Sequence, residues 1–170
     1  MAYSIEEQLA QDILWYFRDS YNHLCVALSA GGLLPQSVAE SDLSNNEFHA
    51  VIYGLPEVYE IARNEAIINR IQGISLENLE RYFLNFESLA RRGLYVFDKF
   101  AIDNASDPNY FLVAYPIYDR YKNAYPINKQ LLSEIPRIRG RISGRYKNPF
   151  NLIRYFDNLY TLGNNRSRNI

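Results

Sequence analysis

The chain is poor in the residues that do metal and redox chemistry. It has one cysteine, Cys25, so no internal disulfide can form and a thiolate metal cluster is not expected. There are two histidines, His23 and His49. Each would need a glutamate three residues earlier to build a di-metal carboxylate bundle, and those positions hold Ser20 and Asn46. No Walker loop, GxGxxG, HExxH or GxSxG motif is present, so no cofactor is implied and a non-enzymatic protein is expected. The longest apolar stretch, LCVALSAGGLL, is far short of the ~18 residues that a membrane span needs. The opening MAYSIEEQLAQD is acidic and lacks the character of a signal peptide. These features together predict a soluble protein in the cytoplasm.

Tyrosine is abundant instead. The chain of 170 residues carries 15 Tyr against one Trp and one Met. Tyrosine pairs an apolar ring with a polar tip and favours half-buried seams and contact surfaces. Length and composition predict a single domain over residues 1–163, with the polar residues 164–170 as a frayed tail.

The near-neutral net charge hides a division. Residues 1–119 carry 7 Lys and Arg against 17 Asp and Glu, a net of −10. Residues 120–170 carry 11 against 2, a net of +9. Within the basic part, PRIRGRISGRYKNPFNLIRYF (residues 136–156) has six cations and no acid, spaced by isoleucines and aromatics.

Helical spacing dominates the apolar pattern. Ser4 and Glu7 form a capping box before Ile5, Leu9, Ile13, Phe17, Leu24 and Leu28, which predicts a long first helix ending at Gly31 and Gly32. A second helix is expected from Asn46, broken at Pro56 and resumed to Ile71. Ser75 caps a third that continues past Gly93 to Phe100. Asp107–Pro108 reads as a further helix start, with a strand through YFLVAY as the lesser reading. Leu131, Ile135, Ile138 and Ile142 suggest another helix, and residues after Pro149 a last short one. The sum is an all-α bundle of five to seven helices, several kinked or interrupted by proline.

On that reading Arg137 and Arg141 share an outward face, with Arg139 across from them. Arg145, Tyr146 and Lys147 follow in a Gly-rich turn, and Arg154 returns from the last helix. Arginine forks suit bidentate phosphate contact, and Tyr146 or Phe150 can stack on an unpaired base. This composition points to a nucleic-acid contact, with RNA or single strands favoured. The same charge division also fits an acidic protein partner, a head-to-tail assembly of copies, or internal neutralisation.

One short motif points elsewhere. RDSYNH places Arg18 five residues before His23. Over these six residues it resembles the arginine–histidine motif of HEPN-type ribonucleases, a family of small all-helical proteins. The resemblance implies a metal-independent ribonuclease in which Arg18 steadies phosphate charge and His23 transfers protons.

Overall fold

A computed structural model describes residues 3–40, 45–68, 75–117, 129–142 and 148–156. It overturns the all-α expectation: the centre of the protein is a curled, mixed β-sheet of six strands with few helices. After a short helix α1 (Ile5–Ala10) come strands β1 (Leu14–Arg18) and β2 (Leu24–Leu28). Helices α2 (Gln36–Ala39) and α3 (Asn45–Tyr53) lead to β3 (Glu60–Arg63), α4 (Glu65–Ile68) and the long α5 (Leu76–Arg91). Strands β4 (Tyr95–Lys99) and β5 (Asn109–Ile117), helix α6 (Lys129–Glu134), strand β6 (Phe150–Asn151) and a 3-10 turn (Ile153–Tyr155) complete the order.

The strand order is β1-β2-β4-β5-β3, with β6 also paired to β5. β2 and β4 run parallel, and the other pairs are antiparallel. Residues between β2 and β4 supply the crossover, and α5 lies across the sheet as its main element.

The sheet is covered on both faces. On the helix-bearing face, Tyr16, Leu24, Val26, Val96 and Ala114 pack against Phe48 and Ile52 of α3 and Phe83 and Phe86 of α5. On the opposite face, Trp15, Phe17, Ala27, Phe97 and Leu112 pack under Leu34, Val38, Ile138, Ile142, Ile153 and Phe156. Burying each large side chain contributes ~1.5–3 kcal/mol. The second face is therefore closed by the basic C-terminal segment, whose isoleucines point inward.

Double burial explains the wrong secondary structure. A strand buried on both faces is a continuous apolar run, such as LWYF or LCVAL, and such a run satisfies helical and strand spacing alike. The predicted first helix is thus a one-and-a-half-turn helix followed by a hairpin. Its capping box does form: Ser4 N donates to Glu7 Oε2 at 2.8 Å and Glu7 N donates to Ser4 Oγ at 3.1 Å. The described part of the resumed second helix, up to Ile68, is instead β3 and the short α4. The third helix starts at its predicted cap, Ser75, but Gly93 adopts φ 95° and turns the chain into β4. Asp107 caps a turn and not a helix, accepting from Ala101 N (3.2 Å) and Asn109 Nδ2 (2.6 Å). The lesser reading of YFLVAY, a strand, is the one that forms, with Pro116 inside β5. Pro136 ends the run of α6, and residues 136–138 are extended beside β1. Of the expected last helix, the described residues form the short β6 and the 3-10 turn.

The helix-bearing face holds a carboxyl, Asp98, that is pushed toward its neutral form. The Tyr82 hydroxyl of α5 donates to Asp98 Oδ2 at 2.8 Å. Burial pushes the Asp98 carboxyl up to about 6, against the pull of hydrogen bonds from Tyr82 and the Lys99 amide, and the Asp12 charge adds to the rise. The protonated form is the one the fold favours. Its contribution is full below pH 3.8 and is lost as the pH rises through about 6. At neutral pH this costs up to about 3 kcal/mol. Asp98→Asn is expected to raise stability by ~2 kcal/mol near pH 8 and by almost nothing near pH 3. Urea unfolding at the two pH values measures this, and an equal effect at both would count against it.

Candidate nucleic-acid interface

The hairpin turn between β1 and β2 is built around Asp19. Its backbone N–H donates to His23 O (3.1 Å), and Asn22 N donates to Asp19 O (3.0 Å). Asn22 takes φ 63°, the left-handed position that closes a three-residue loop and that asparagine tolerates. The Asp19 side chain is fully buried. It accepts from Tyr21 N (2.9 Å), His23 N (3.0 Å) and His23 Nδ1 (3.1 Å). Burial pushes its carboxyl up, but the His23 ring and the amides outweigh that and hold it below the ordinary range.

The basic segment docks on this hairpin as an edge strand. Arg18 N donates to Pro136 O and Ile138 N donates to Arg18 O, both at 2.8 Å. Ser20 N donates to Gly140 O (3.0 Å), and Arg137 Nη2 donates to Ser20 O (2.8 Å). Gly140 has φ 98°, and a Cβ there would lie 3.3 Å from the Tyr155 ring, so glycine lets the chain turn against that ring.

This pairing sets Arg137 directly beside Arg18 in a parallel bridge. Burial makes the Arg18 charge harder to hold, and the Arg137 guanidinium adds repulsion. Arg18 Nε is buried without a hydrogen-bond partner. Arg141 lies over the Tyr21 ring, 5.0 Å from its centroid. Arg139 and Arg154 are exposed, and the Tyr155 carbonyl accepts from Arg139 N at 3.4 Å. Thus Arg137 lies beside Arg18 at the β1 edge, Arg141 lies at the hairpin turn, and Arg139 and Arg154 lie near Tyr155. Arg137, Arg139 and Arg141 are placed by non-helical chain, not by a helix face. Arg145, Tyr146 and Lys147 lie outside the described residues.

Several acids of the acidic part are paired with cations of that same part. Arg63 binds Glu80 and Glu87, Arg91 binds Glu87, and Arg92 binds Glu57. Arg137 and Arg154 make no salt bridge among the described residues.

The Arg18 and His23 pair of the ribonuclease-like motif is not brought together. The motif forms a hairpin, not a helix. Arg18 pairs with Leu24, whose side chain enters the helix-face core, so Arg18 leaves from that face. His23 leaves with Asp19 from the other face and packs against Tyr95, ring centroids 5.2 Å apart. The pleat therefore separates the two side chains.

Phe150, a stacking candidate in the sequence, packs against Phe97 and Tyr155 at the second core. Sequence reasoning missed Tyr21 and the anchoring role of Asp19. The signal was the cluster of Asp, Ser and Asn in DSYN, a turn composition hidden by the flanking helical spacing. Among the described residues, no group of three or more His, Cys, Asp or Glu could hold a metal ion, and no helix is long and apolar enough to cross a membrane. In comparisons with known proteins, no family model, curated protein or solved structure matches this chain.

Proposed function

We propose that the edge formed by the hairpin turn and residues 136–142 binds the phosphate backbone of a nucleic acid. The observation that carries this reading is the bridge of Arg18 to Arg137. Two guanidinium groups are held side by side, and Arg137 makes no salt bridge among the described residues. A phosphate placed between them would relieve their repulsion through charge-assisted bonds to both guanidinium groups. Arg139 and Arg141 follow Arg137 in the same exposed segment, which suits a chain of phosphates better than a single anion.

Binding of this kind weakens steeply with salt. With about five phosphates engaged on a single strand, the slope of log affinity on log salt is expected near −3.5, roughly a hundredfold loss for a fourfold rise in salt. Titration of labelled RNA at several salt concentrations measures the slope. No binding at low salt, or binding insensitive to salt, would count against the reading.

A further inference from the structure

We propose that Tyr21 is a stacking platform for an unpaired base, so that the arginine edge selects single-stranded nucleic acid over duplex. This rests on the phosphate-binding reading above and adds the residue that sets strand selectivity. Tyr21 is 64% exposed, yet its backbone is fixed. Its amide donates to the buried Asp19 carboxylate, so the ring is presented from a rigid turn. Exposed aromatic rings on pre-set backbone lose little freedom when they bind.

The ring also begins a series that runs into the protein. Tyr21 and His23 are nearly parallel, 15° apart with centroids at 6.2 Å. His23 meets Tyr95, and Tyr95 stacks on Tyr115 at 6.2 Å and 8°. Tyr95, within the series, is buried, and Tyr21 at its outer end is exposed. Arg141 over the Tyr21 ring places a cation where the phosphate beside a stacked base would lie. A base stacking on that face of the ring would take the place of Arg141, and a charge-assisted bond from its guanidinium to the neighbouring phosphate is stronger than the exposed cation–π contact it replaces. A duplex keeps its base faces stacked internally and offers none to the tyrosine, whereas every unpaired base has an open face.

The test compares binding of a labelled single strand of about 12 nucleotides, its duplex, and heparin, which has charge but no bases. The wild-type protein is expected to favour the single strand over the duplex by about tenfold or more. Tyr21→Ala should lose about 5- to 100-fold on the single strand and less than about twofold on heparin. Tyr21→Phe, which keeps the flat ring and the fold, should bind as the wild type does. Equal affinity for single strand and duplex, or a single-strand affinity unmoved in Tyr21→Ala, overturns the proposal. Heparin binding that persists in that case leaves the phosphate reading standing. Failure of the wild type to bind any of the three ligands defeats both.

Discussion

Replacing Arg137, Arg139 and Arg141 together by glutamate is expected to lower affinity for RNA or heparin by at least about a hundredfold at moderate salt. The change removes three cations from the edge and puts three anions in their place, so the remaining Arg18 and Arg154 face repulsion of the ligand by their neighbours. The fold should survive. All three side chains are exposed, and the segment is held by Ile135, Ile138 and Ile142, which are buried, and by backbone bonds to Arg18 and Ser20. An unchanged circular dichroism spectrum and melting temperature with lost binding is the expected pair of results. Loss of both would mean that the arginines hold the structure. Unaltered binding would remove the edge as the docking surface.

The second large effect is on stability. Asp19→Ala is expected to destabilise the protein by about 4 kcal/mol, since it strips a buried carboxylate from two backbone amides and an imidazole at once. The sign of the pH dependence follows from the lowered carboxyl. The stability Asp19 supplies is present above the ordinary range near 3.8 and is lost as the pH falls through the lower folded value. Urea unfolding at neutral pH should therefore show the full difference between Asp19→Ala and the wild type, and the difference should shrink in acid. A loss below about 1 kcal/mol at neutral pH would mean that the turn does not depend on this anchor. Because the same residue fixes the Tyr21 amide, the variant should also weaken single-strand binding under conditions where it remains folded.

Asp19 and Asp98 oppose each other in this respect. One is a buried carboxylate that the fold keeps ionised through donated hydrogen bonds. The other is pushed toward its neutral form because burial outweighs its donors. A fall in pH below 3.8 therefore removes the contribution of Asp19, whereas a rise through about 6 removes that of Asp98.

Some features could be read without coordinates because they are local. The Ser4–Glu7 box, the Ser75 cap and the amphipathic stripe from Leu79 to Ala90 depend on neighbours within a turn or two, and they are found where spacing puts them. The density of arginine after residue 136 and the apolar character of Ile135, Ile138 and Ile142 are equally matters of composition, and those isoleucines are indeed buried. What stayed hidden was set by contacts distant in the chain. Whether LCVAL is helix or strand depends on whether apolar surface meets it from one side or two, and its covers come from α3 and α5 on one face and from residues near 138–156 on the other. The isoleucine spacing fits a helix, but Pro136 O and Ile138 N are claimed by Arg18, so the segment extends along β1. Arg18 and Arg137 are far apart in sequence and side by side in the sheet. Like charges so placed are a product of strand pairing, which no periodicity along the chain encodes.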